Sequence, residues 1–188
     1  MSTRTSTRTE AVTIEDLYHI PEDGKAEIVN GELVLMSPTG DMPGSAALEI
    51  VVSLRSYARK TKVGRAYGDN VGFVVDLPTR DSFSPDASFY VGPRTHGKFL
   101  EGAPIFAVEV RSQEDYGRRA EQKMAQKRVD YFAAGALVVW DVDVLRDGVV
   151  RKYAAENPDE PVVFRRGEVA DADPALRGWK MPVDDIFA

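Results

Sequence analysis

Two nearly continuous apolar runs with one helix between them restrict this chain to few folds. Residues 104–110 (Pro-Ile-Phe-Ala-Val-Glu-Val) and 136–142 (Ala-Leu-Val-Val-Trp-Asp-Val) lack the alternation of a half-exposed strand, so both read as strands from the middle of a sheet. Residues 117–134 read as a helix, and Gly135 stands where a helix C-cap glycine belongs. A strand, a helix and a second buried strand in that order predict a right-handed crossover between parallel neighbours. The expected class is α/β (α+β), a mixed β-sheet flanked by helices.

Upstream, Asn30-Gly31 is the strongest short-range hairpin signal a sequence carries, and the stretches 25–30 and 32–36 around it read as strands. An N-terminal β-hairpin is therefore expected. Thr13 caps a short helix ahead of it, closed by Pro21 and Gly24. Gly40, Pro43 and Gly44 interrupt the chain after the hairpin. Ala47, Ile50, Val51, Leu54 and Ala58 then recur at helical spacing to about Thr61, an amphipathic helix covering a sheet. Strands are expected at 65–68, 71–76 and 87–91, with Pro78 and Asp81 in a loop and a polar loop over 92–102. Residues 149–154 and 162–166 read as edge strands, and the end, through Trp179, Ile186 and Phe187, is expected to pack back on the domain.

Composition narrows the function classes. With 188 residues, 43% of them hydrophobic, there is apolar material for one core, and no gap in the apolar pattern splits 12–188 into two domains. Residues 1–11, a Ser/Thr/Arg repeat without the apolar stretch of a secretory signal, read as a disordered tail. No apolar run approaches the roughly twenty residues of a membrane helix, so a cytoplasmic protein without a membrane partner is expected. The lack of cysteine excludes disulfides and thiolate metal sites, and two histidines, His19 and His96, leave little for zinc. Any metal should be a hard, oxygen-bound cation. A net charge of −6 argues against nonspecific nucleic-acid binding by the whole surface, because such binding is driven by Lys and Arg. Locally the balance reverses: from Arg111 to Arg128, six basic residues stand against three acidic ones. A solvated helix face would explain that run equally well.

The residues that carry chemistry cluster at the ends of the predicted strands. Ser84-Pro85-Asp86 opens one apolar strand and Glu109 ends the next. Neighbouring strands lie about 5 Å apart, so two such carboxylates could bind one divalent cation, which would offset their mutual repulsion. Arg111, two residues beyond Glu109, lies on the same side of the strand and could clamp a phosphate, although a guanidinium cannot act as a base. Lys123, Lys127 and Tyr131 stack along one helix face at four-residue spacing, and Lys127 could supply an ammonium near the carboxylates. Glu27, in the hairpin, is a further candidate acid. Each has an ordinary alternative: Asp86 as a strand-start residue, Glu109 with Arg111 as a structural ion pair, Lys127 as a solvent-facing lysine, Tyr131 as a core-edge aromatic, Glu27 as an exposed hairpin charge.

Taken in order, the segments 26–33 (Ala-Glu-Ile-Val-Asn-Gly-Glu-Leu), 36–38 (Met-Ser-Pro), 84–86 (Ser-Pro-Asp), 103–104 (Ala-Pro), 108–112 (Val-Glu-Val-Arg-Ser), 127–135 and 138–143 carry a resemblance. From about Thr13 to Tyr153 the chain resembles the Uma-type restriction endonucleases, a bacterial group in the PD-(D/E)xK nuclease superfamily. The resemblance implies a restriction-endonuclease-like core and a magnesium-dependent endonuclease acting on DNA, with manganese as a possible substitute. It implies Asp86 and Glu109 as metal ligands and Glu27 as a supporting acid. The lysine that the superfamily places two residues after the glutamate is Arg111 here, so Lys127 stands in for it. The histidine that the family often carries after its Ser-Pro motif is also missing, replaced by Asp41-Met42-Pro43-Gly44. A homodimer or higher homo-oligomer is expected, since cutting both strands needs two sites. An alternative of a different class fits the same residues: a catalytically weak or inactive nuclease-like module that binds a nucleic acid or protein partner. Hydrolysis of another phosphoester is a third reading.

Overall fold

The computed structural model describes residues 12–20 and 24–187; the expected tail over 1–11 and the Pro21 stop lie outside them. Helix α1 (Ile14–Leu17) begins where Asp16 accepts both the N–H and the hydroxyl of Thr13, at 2.7 and 2.8 Å. Strands β1 (Lys25–Val29) and β2 (Glu32–Met36) then form the expected hairpin. Asn30 and Gly31 both take positive φ, 51° and 73°, as a two-residue turn matching the twist of its strands requires.

Helix α2 (Asp41–Thr61) starts six residues before Ala47 and takes Pro43 and Gly44 into its first turn. Reading them as an interruption was an error. The first N–H groups of a helix have no partner within it, so proline costs nothing there. The chain continues through β3 (Arg65–Gly68), β4 (Phe73–Leu77) and β5 (Arg80–Phe83). The last of these corrects the loop expected around Pro78 and Asp81. Arg-Asp-Ser-Phe has no apolar alternation, yet its first, third and fourth residues are buried. Beyond it lie β6 (Ala87–Tyr90), the two-residue β7 (Leu100–Glu101), β8 (Phe106–Val110), α3 (Arg118–Ala133), β9 (Val138–Asp143), β10 (Val149–Ala154) and β11 (Asn157–Arg165). A final hairpin, β12 (Val169–Ala172) and β13 (Leu176–Pro182), leads into a 3₁₀ turn over Val183–Phe187.

The strands form a five-stranded sheet in the order β2-β1-β5-β4-β7, a six-stranded sheet β11-β10-β9-β8-β6-β3, and the terminal pair. Strands β8 and β9, joined through α3, are parallel, with Glu109 opposite Asp141. The crossover is thus seated at the centre of the larger sheet. Gly135, at φ 102°, supplies the left-handed residue just past α3. Only one of the two expected edge strands lies at an edge: β10 sits between β9 and β11. Among the described residues no helix is long and apolar enough to cross a membrane.

Alternation along β8 and β9 sorts the core. Phe106, Val108, Val138, Trp140 and Val142 face Ile50 and Leu54 of α2 together with Trp179 and Ile186 from the C-terminus. Ala107 and Val139 face Tyr131 of α3 and Phe73 and Phe83 of the smaller sheet. The second face is where the polar residues of β8 emerge. On the first face Trp179 packs at 5.1 Å from Trp140 and 5.6 Å from Phe106, centroid to centroid, and its indole N–H donates to Ser53. Trp179→Ala should cost about 3–5 kcal/mol of unfolding free energy, measured by urea denaturation. A loss below 1 kcal/mol would mean that the terminal hairpin is not part of the core.

Candidate active site

Asp86 stands just before β6, against the end of β8. The antiparallel register places Ala87 opposite Val108, and one step further sets Asp86 opposite Glu109, with both side chains on the same face. The backbone fixes the aspartate: its own N–H donates to the Val108 carbonyl at 3.1 Å, and its Oδ2 accepts the Val110 N–H at 2.8 Å. Oδ1 is left to Lys25, whose Nζ donates to it at 2.9 Å and also meets Asp69 at 2.6 Å.

Glu109 is held from the helix. Lys127 donates to its Oε2 at 2.8 Å and the Tyr131 hydroxyl to its Oε1 at 2.6 Å. The Tyr131 ring is fixed in turn by stacking on Phe83, 4.1 Å away and 14° from parallel. Lys127 also meets Glu27 at 2.9 Å. Glu27 is almost fully buried and accepts the Ser84 N–H at 2.8 Å and Arg80 at 2.5 Å. Arg80, also buried, reaches Asp130 at 2.9 Å. Thus Glu27, Asp86, Glu109 and Lys127 converge into one polar cluster. Lys123, one turn earlier on α3, is exposed.

Arg111 is not part of that cluster. Its guanidinium forks onto Asp141 with two bonds of 2.7 Å and pairs with Glu121 as well. Four of its five N–H donors are occupied by these two carboxylates, so it has little left for a phosphate. The cavity beside it, about 280 Å³, sets three arginines against three carboxylates and offers an anion no net attraction.

Burial pushes Glu109 up to about 7; Lys127 opposes the shift, while Asp86 and Glu27 add to it. Burial also disfavours the charge on Glu27, but Lys127 and Arg80 outweigh it and hold this carboxyl below its ordinary range. Lys127 is raised for the converse reason: Glu109 and Glu27 outweigh the cost of burying its ammonium. It is a cation at neutral pH and not a proton acceptor.

Five carboxylates (Glu27, Asp69, Asp86, Glu109, Asp130) meet three cations (Lys25, Arg80, Lys127), an excess of two negative charges when all are ionised. The side chains of Asp86 and Glu109 remain 23% and 21% exposed, and every acidic donor is an oxygen. Among the described residues no three His, Cys, Asp or Glu side chains gather into a metal cage. Magnesium needs no cage: one or two carboxylates and water suffice. The residues fit such an ion.

A family profile, described as "Putative restriction endonuclease", matches residues 13–184. The chain belongs to the Uma2 family. A similar fold is seen in the crystal structure of "a putative nuclease belonging to DUF820" from Anabaena variabilis ATCC 29413. That protein is 17% identical, the alignment covering 94% of this chain and 97% of the other, with a TM-score of 0.73. At that identity the likeness concerns the fold, a mixed α+β arrangement of sheets flanked by helices. No curated protein matches the chain.

In this Uma2 chain, sequence reading passed over two residues of the cluster, Lys25 and Arg80, and gave Tyr131 no role in it. Lys25 lies two residues before Glu27 on β1, so the strand period alone puts both on one face. Tyr131 was visible one helical turn beyond Lys127. Arg80 carried no signal, because the segment around it reads as a loop.

Two expectations follow for stability. Arg80→Met leaves Asp130 without a cation and Glu27 with Lys127 alone, and should cost about 3–5 kcal/mol at neutral pH, less in acid, by chemical denaturation. Glu109 binds its proton more tightly folded than unfolded. Its contribution therefore favours the fold in acid and is lost as pH rises from about 4.5 through 7. Glu109→Gln should remove that loss, so its stability relative to the unaltered chain should climb across this window; a flat difference would refute the raised carboxyl.

Proposed function

We propose that this chain is a magnesium-dependent endonuclease that hydrolyses DNA phosphodiester bonds, with manganese as a substitute ion. The observation that carries the reading is the convergence of Asp86 and Glu109, from neighbouring strands, with an ammonium locked beside them. Asp86 and Glu109 are the proposed ligands, each presenting a carboxylate toward the partly open end of the strands. Bound there, the ion would lower the pKa of a water molecule and polarise a phosphoryl oxygen.

The protein's own contribution is electrostatic. Lys127 is held as a cation between Glu109 and Glu27, at the place where negative charge would grow during attack on phosphorus. Glu27 orients it, and Arg80 keeps Glu27 charged. Tyr131, whose hydroxyl is raised well above its ordinary value chiefly by burial, stays a neutral donor that fixes the rotamer of Glu109. Arg111 braces β9 against α3 in this reading. Cleavage of both strands of a duplex would take two copies of the chain, one site for each.

A second reading rests on the same contacts. Lys25 and Lys127 already sit on Asp86 and Glu109, and a site neutralised by its own lysines suits a module that binds without cutting.

Plasmid cleavage in magnesium or manganese separates the two. The unaltered chain should nick or linearise plasmid, Asp86→Ala and Glu109→Ala should lose at least about a hundredfold in rate, and calorimetry should show magnesium affinity lost in Asp86→Ala. Cutting no better than the Asp86→Ala control, in either metal, would leave the binding module as the standing reading.

A further inference from the structure

A cavity with both Lys25 and Asp69 in its wall adjoins the carboxylate cluster. It holds about 610 Å³, within the range of pockets that take small organic ligands. Lys25 is in its wall and donates to Asp86, so the cavity and the proposed hydrolytic site share one side chain. Its lining is mixed. Tyr18 and Phe99 form an aromatic pair with ring centroids 4.1 Å apart and planes within 10°, and the Tyr18 hydroxyl accepts the Phe99 N–H at 2.8 Å. Phe99 is backed by Gly72, where a Cβ would come within 2.6 Å of the ring. Tyr18, 43% exposed, is therefore the ring with a face to offer.

Polar groups suited to the edge of a base are present too. Asn70 and Ser37 line the cavity and are exposed, and Ser84, which also lines it, has a buried hydroxyl without a hydrogen-bond partner. Ser84 is only two residues from Asp86. Phe99 ends a loop that carries Arg94, His96 and Lys98, all exposed, and residues 91–100 contain no carboxylate. In a chain of net charge −6, that segment is a local place for phosphates.

A flat aromatic face, unpaired hydrogen-bonding groups, a cationic loop and a neighbouring phosphodiesterase site suit one ligand chemistry. We infer that the cavity is a subsite for an unpaired nucleobase, the base next to the scissile phosphate, which stacks on Tyr18 while the loop 92–99 guides the backbone. A base inside a duplex is stacked on both faces and cannot enter. The substrate class is accordingly single-stranded DNA or a duplex opened at the cut, and the inference rests on the nuclease reading of Asp86 and Glu109.

Fluorescence anisotropy tests it with a fluorescein-labelled DNA single strand, the same strand with one abasic position, and the matching duplex. All are titrated in EDTA, so that neither cleavage nor metal binding contributes. The intact strand should bind tighter than the duplex. Tyr18→Ala should weaken binding of the intact strand about tenfold, Tyr18→Trp should restore it, and duplex binding should be unmoved. At the abasic position that occupies the cavity, the difference between Tyr18 and Ala should shrink. No binding of single strands, equal binding of strand and duplex, or a Tyr18→Ala loss that Trp does not restore would each overturn the subsite. A Tyr18 effect together with no metal-dependent cutting would sink the nuclease reading alone. Cutting abolished by Asp86→Ala, with no Tyr18 effect, would sink the subsite alone.

Discussion

The buried guanidinium of Arg80 ties two buried carboxylates together inside this protein. Glu27 and Asp130 come from β1 and α3, and Arg80 from β5 stands between them. An ionised carboxylate in a protein interior is tolerated only where a cation and hydrogen bonds replace its water. Glu27 has both, and because it is charged it can hold Lys127, which in turn holds Glu109. Five residues scattered from 27 to 130 are thus one electrostatic chain. That chain also docks the smaller sheet and α3 onto the larger sheet, where otherwise only Phe83, Tyr131 and their apolar neighbours would join them.

The same interaction explains what could be read from the sequence. Elements stabilised by apolar burial announce themselves: 104–110, 117–134 and 136–142 give the strand, helix and parallel strand at the sheet centre, and Asn30-Gly31 gives the hairpin. Strand β5 is buried by ion pairing, so its pattern is that of a loop. Proline in the first turn of α2 and β12-β13 near the end escape for other reasons. A first turn lacks the hydrogen bonds proline would break, and β12, whose buried residues Ala170 and Ala172 are small, leaves little apolar signal.

Of the site, the pair Asp86 and Glu109 was legible because strand ends and a two-residue period fix where side chains point. What was not legible is that Lys25 would pair with Asp86 and that Arg111 would be held elsewhere. Position 111 lies on the face predicted for it, but the register Glu109↔Asp141 puts Asp141 within its reach, and a planar guanidinium meeting a carboxylate forks onto it with two bonds. Pairing across β8 and β9 therefore decides the fate of Arg111, and nothing local to the strand encodes that. Lysine on the helix is better placed: its ammonium can bridge Glu109 and Glu27 at once.

Charge balance ties these observations to the proposed chemistry. If Arg80 neutralises one carboxylate and Lys25 and Lys127 one each, two of the five acids remain uncompensated. The cluster can meet that debt by keeping a proton, as the raised carboxyl of Glu109 does, or by taking up a divalent cation. The two solutions compete for the same oxygens. Acidification should therefore disfavour an ion at the proposed site through Glu109, beside which Asp86 is held by the Val110 N–H and Lys25. A site built this way is held in place by its own ion pairs.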